Sequence, residues 1–98
     1  MPHRLIDRIR EKVRSSEYDM TVHAMEEMAE DDLDILDIEE AILNGRVVRT
    51  HRCDPQGTKY KVVGLVSDTE KLVAIVGRFT STNRLLIITV YEIPEEEH

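Results

Sequence analysis

The hydrophobic pattern of this chain changes period once, at Gly45. Before that residue, apolar side chains recur every three or four positions. After it come Val/Ile/Leu-rich runs separated by short polar turns. Helices first and strands second predict an α+β domain, in which two to three short N-terminal helices pack on one face of a four-stranded antiparallel β-sheet.

Residues 4–14 place Leu5, Ile6, Ile9 and Val13 on one helical stripe. Ser15, Ser16 and Asp19 interrupt it. Thr21 is placed to cap a second helix, where Val22, Met25 and Met28 recur every three residues. Glu26 and Glu27 lie in its first turns, near the positive end of the helix dipole. Asp34, with Asp37 three residues on, caps a third helix. Ile35, Ile38, Ala41 and Ile42 form its apolar stripe, and Asn44-Gly45 stops it.

The strands are read at Val47 to Arg52, Tyr60 to Val66, Leu72 to Phe79 and Leu85 to Tyr91, with a turn at Asp54-Pro55-Gln56-Gly57 and a stop at Pro94. Short polar separators favour consecutive hairpins. The central strands are apolar on both parities, so one face lies against the helices. The other is a shallow groove or is covered by a partner. Residues 1–16 read as an N-terminal amphipathic helix, 17–93 as the α+β domain and 94–98 as an acidic tail, all within a single domain.

Ninety-eight residues suit one hydrophobic core. No apolar run approaches the ~18 residues of a membrane span. The first fifteen residues are charged and lack a signal core, which predicts a cytoplasmic protein. The lone cysteine, Cys53, excludes an internal disulfide.

The net charge of −7 argues against bulk nucleic-acid binding, but its distribution is uneven. Residues 15–45 carry eleven acids and no Lys or Arg, whereas residues 46–93 carry eight bases and four acids. An acidic helical section therefore precedes a basic strand section that could bind an anion.

Several pieces taken together carry a resemblance: Tyr18, Thr21, His23-Ala24-Met25-Glu26, Met28, Asn44-Gly45, Gly64 and Thr89-Val90-Tyr91. Over residues 17–93 the chain resembles the domain-of-unknown-function family numbered 4258. That family is grouped with small toxin-like ribonucleases similar to the RelE and MqsR messenger-RNA interferases. The resemblance implies a RelE/barnase-like toxin fold and a metal-independent endoribonuclease acting on single-stranded RNA. It also implies an antitoxin partner. One position departs from the family pattern: Glu27 stands where the family usually has an arginine, which could clamp a phosphate.

Cleaving RNA without a metal requires a base for the 2′-hydroxyl, an acid for the leaving oxygen and cations around the phosphorus. His23 is the acid/base candidate, and Tyr91 a proton donor or a stacking platform. Lys59, Lys61 and Arg78 are candidate phosphate cations. Thr89 and Arg84 are candidate substrate-binding groups. His51 and Cys53 share a strand face but make half a metal site at best, so neither metal nor cofactor is expected. The alternative reading is a non-catalytic interaction domain that keeps the toxin fold. It would bind a basic protein partner or form a homodimer through the apolar sheet. Glu27 and the acidic helices motivate it.

Overall fold

The helix ends follow their sequence signals. In the computed structural model, which describes residues 4–52 and 57–94, Thr21 caps the second helix by accepting the Ala24 N–H at 3.0 Å. Asp34 and Asp37 form a reciprocal capping box at the third, which satisfies two otherwise orphaned backbone donors. The helices are α1 (Leu5–Arg14), α2 (Val22–Glu30) and α3 (Ile35–Asn44), and the strands are β1 (Tyr18–Met20), β2 (Arg46–His51), β3 (Lys59–Val66), β4 (Lys71–Phe79) and β5 (Leu85–Ile93). Cys53, most of the expected Asp54 to Gly57 turn and residues 95–98 of the expected tail lie outside the described residues.

The sheet has five strands, in the order β1-β5-β4-β3-β2. This corrects the four-stranded, wholly antiparallel expectation. β2 to β5 are consecutive antiparallel hairpins, but Tyr18–Met20 adds a strand parallel to Leu85–Ile87. Three residues are too few to display a period, so this strand is invisible to pattern reading. It is fixed instead by contacts: the Leu85 N–H donates to the Glu17 carbonyl at 3.1 Å and the Thr21 N–H to the Ile87 carbonyl at 3.0 Å. The Tyr18 hydroxyl donates to the Glu39 carboxylate. Burial and that carboxylate push the Tyr18 phenol far above its ordinary range.

All three helices cover one face of the sheet. The core between them holds Ile9 and Val13 of α1, Ala24 of α2 and Ile38, Ala41 and Ile42 of α3, against Val62, Val66, Val73, Ile75, Leu85, Ile87 and Val90. The α1 stripe is as expected. The other two stripes are corrected at their exposed members: Val22 is 70% and Met25 49% exposed, and Ile35 is 38% exposed. α2 turns Ala24 and Met28 inward, and the adjacent stripe of His23 and Glu27 reaches the sheet edge.

α3 sits unusually close to β3. A Cβ added to Gly64 would lie 1.8 Å from the Ala41 carbonyl oxygen, so only glycine lets the helix backbone approach this strand.

Two irregularities shape the open face. A register shift in β2 lies between Val47 and Arg49. A second, opposite Val76 and Gly77, makes Ile88 an extra residue in β5. In a strict alternation Leu85, Ile87, Thr89 and Tyr91 would all face the core. The bulge at Ile88 switches the parity, so Val90 stays buried while Thr89 and Tyr91 turn to the open face.

Candidate functional site

Cross-strand partners share a face of the sheet, so the register maps the open face residue by residue. One row runs Arg49–Lys61–Val76–Thr89 across β2, β3, β4 and β5. The adjacent row runs Arg46–Val63–Ala74–Tyr91. On the other side His51 pairs with Lys59 and Arg78 with Leu86. Five candidates from the sequence, Lys59, Lys61, Arg78, Thr89 and Tyr91, therefore share this face. The Lys61 ammonium sits 5.3 Å from the centroid of the Tyr91 ring, a cation–π contact.

Toward β2 the face forms an open cleft of about 220 Å³ lined by Arg49, His51, Lys59, Tyr60, Lys61 and Val76. No carboxylate among the described residues lines it. Among the described residues, Arg49, His51, Lys61 and Arg78 form no ion pair, and the Arg78 Nε atom is buried without a hydrogen-bond partner. The acidic residues of α2 and α3 lie on the opposite side of the sheet. The charge segregation along the chain thus becomes a segregation between faces.

Arg49 and His51 were missed as site residues by sequence reasoning. Their signal is weak but real: alternate residues on one strand, facing alternate lysines on the next.

His23 sits at a different place, in the first turn of α2 beside the free edge of β5. Its side chain is 65% exposed, and Nε2 lies 3.2 Å from Glu27 Oε1. The same oxygen accepts the Val90 backbone N–H at 3.2 Å. One turn further along α2, Asp31 accepts the Glu92 N–H at 2.7 Å. β1 ends at Met20, opposite Ile87. Beyond that point these two carboxylates occupy donors that a continued edge strand would have taken. Glu27 is therefore an edge cap, which arginine cannot be because it has no acceptor. Glu27 faces the sheet backbone and holds the imidazole beside the strand that carries Thr89 and Tyr91.

Arg84 does not join this group. Its Nε donates to Asp19 Oδ2 at 2.8 Å, and Nη2 reaches Asp19 Oδ1 at 3.3 Å and the Tyr18 carbonyl at 3.4 Å. This hydrogen-bonded pairing holds the Asp19 carboxyl below its usual range and raises the guanidinium. Arg84 thus pins β1 to β5. His51 is in the cleft, whereas Cys53 lies outside the described residues. Among those residues no group of three or more His, Cys, Asp or Glu side chains is arranged to hold a metal, and no helix is long and apolar enough to cross a membrane.

A protein-family model described as Domain of unknown function (DUF4258) matches residues 20–92. Neither a curated protein nor a solved structure gives a match to the chain.

Proposed function

The chain belongs to the family Domain of unknown function (DUF4258), and from that premise we propose that it is a metal-independent endoribonuclease of the cytoplasm that cuts single-stranded RNA. In this reading it is a compact toxin related to the RelE and MqsR interferases, held in check by an antitoxin. The parallel β1 strand is an addition at one edge of that fold.

The observation that carries the reading is the shared Glu27 oxygen, 3.2 Å from both His23 Nε2 and the Val90 N–H. It fixes the imidazole at the outer edge of β5, the strand whose open face carries Thr89 and Tyr91. With Nε2 turned to the carboxylate, Nδ1 is the ring nitrogen left for a substrate. His23 Nδ1 takes the 2′-hydroxyl proton, and the 2′-oxygen attacks the adjacent phosphorus. The bond from phosphorus to the 5′-oxygen breaks, and the leaving oxygen takes a proton from the Tyr91 hydroxyl. The products are a 2′,3′-cyclic phosphate and a 5′-hydroxyl, and solvent returns the proton from the imidazolium to the phenolate. Lys61 already covers one face of the Tyr91 ring, so the hydroxyl is what this tyrosine offers. Lys61, Lys59 and Arg78 balance the growing negative charge, and Thr89 donates to a phosphate oxygen.

A single-stranded RNA labelled at its 5′ end, incubated with the protein in chelator, tests this. Fragments ending in a 2′,3′-cyclic phosphate support it. Intact RNA, or cleavage that appears only with added divalent metal, removes it.

One observation favours the second reading, a protein-interaction domain. Val22 and Met25 are exposed on α2, and Leu36 of α3 is 69% exposed. These apolar side chains stand among acids, as a surface for a basic, amphipathic partner would. A tight complex without any nuclease activity would favour this reading over the first.

A further inference from the structure

We propose that the cleft between β2 and β3 is a phosphate subsite in its own right, holding a backbone phosphate that flanks the one being cut. This rests on the single-stranded-RNA reading above and specifies how much of the strand the protein grips.

Three observations support it. First, the register converges four basic side chains on one spot: Arg49 opposite Lys61 and His51 opposite Lys59, on one face of a single hairpin. Second, these side chains line an open cleft of about 220 Å³. At ~30 Å³ per water molecule that is room for about seven waters, enough for a phosphate that keeps part of its hydration. Among the described residues the lining contains no carboxylate, and its remaining members are Tyr60 and Val76. An apolar ligand would leave Arg49 and Lys61, which form no ion pair among the described residues, without counter-charge. A phosphodiester supplies that charge and presents oxygens to several donors at once.

Third, the cleft is separated from the imidazole. His23 is on α2 at the outer edge of β5, whereas the cleft lies over β2, β3 and Val76 of β4. The row Arg49–Lys61–Val76–Thr89 is the path between them. A strand crossing β5, β4 and β3 would place the scissile phosphate near Thr89 and Tyr91 and a flanking phosphate in the cleft. The preferred substrate therefore carries at least one phosphate beyond the scissile one.

The test is fluorescence anisotropy with a labelled uridine hexamer in chelator, across salt concentrations. It compares the wild type, the double variant Arg49→Gln with His51→Gln, and Arg84→Gln as a cation removed elsewhere. The double variant is expected to bind at least tenfold more weakly at low salt. Its log–log salt slope should fall by about 0.7, the share of one single-strand phosphate. Arg84→Gln should match the wild type. Equal binding and slope in the double variant would overturn the subsite, as would a wild type that does not bind the hexamer. Cleavage is read separately: a wild type that binds through the cleft but does not cut removes the ribonuclease reading and leaves the subsite standing.

Discussion

Glu27 and Val90 are joined by a hydrogen bond from the Val90 backbone N–H to the carboxylate, 3.2 Å long, at the exposed edge of β5. A helix side chain here does what a longer β1 would otherwise do. Edge donors left open invite pairing with other chains, and α2 closes this edge with Glu27 and Asp31.

Replacing Glu27 by alanine leaves the Val90 donor without its partner. A loss of about 1–3 kcal/mol is expected, the usual range for a partly buried hydrogen bond to a charged group. Glutamine, whose carbonyl still accepts, should lose less. Arginine should destabilise as alanine does, because it cannot accept. Urea denaturation of the three variants measures this, and an arginine variant as stable as the wild type would contradict it.

Gly64→Ala should be among the most damaging single-methyl additions in the chain. Its Cβ would meet the Ala41 carbonyl oxygen at 1.8 Å, so α3 must lift from β3. A loss of about 3 kcal/mol or more is expected, at the upper end of overpacking costs. In a domain of this size it lowers the thermal midpoint by about 12–24 °C. A midpoint within a few degrees of the wild type would show that α3 moves away freely.

Most of the architecture is legible in the sequence because its signals are local. Thr21 and the Asp34–Asp37 pair announce helix starts, and the Val/Ile runs announce β2 to β5. What escapes is what local patterns cannot encode. Tyr18–Met20 is too short to show a period, and its partner lies more than sixty residues away in sequence. The bulge at Ile88 has no marker residue, yet it decides whether Tyr91 faces the core or the open side. The role of Glu27 was unreadable for the same reason: its partner is a backbone N–H rather than a side chain. The lysines on β3 were legible as a pair by simple alternation. The contribution of Arg49 required the shifted register of β2.

Acid should weaken the fold through three surface carboxylates. Ser15 is the chief cause of the lowered Glu17, Arg84 of the lowered Asp19, and Ser67 of the lowered Glu40. A carboxyl whose folded pKa lies below its unfolded value adds stability above the unfolded value, and that stability is lost as pH falls through the folded one. The ordinary values are 4.5 for glutamate and 3.8 for aspartate. Stability should thus be flat near neutrality and decline below about pH 4.5. Denaturation midpoints between pH 7 and pH 2.5 report this, and Arg84→Gln should flatten the part of the decline that Asp19 contributes. A stability that does not change over that range would refute it.

Arg78 and Arg84 should differ in function although both lie near the β4–β5 hairpin. Arg78 is on the open face with an unpartnered Nε, whereas Arg84 is held by Asp19. Arg78→Gln is expected to slow RNA cleavage at least tenfold, and Arg84→Gln to leave the rate near that of the wild type. Equal effects in the two variants would mean that the open face has no special role.

The most direct measurement is the single-turnover rate of RNA cleavage in chelator, for the wild type and His23→Ala. General acid/base catalysis contributes about 10²–10⁴-fold, and the His23 side chain is mostly exposed. The account therefore predicts a fall of at least a hundredfold, with the circular dichroism spectrum and thermal midpoint unchanged. Equal rates in the two proteins would contradict it and take His23 out of the chemistry.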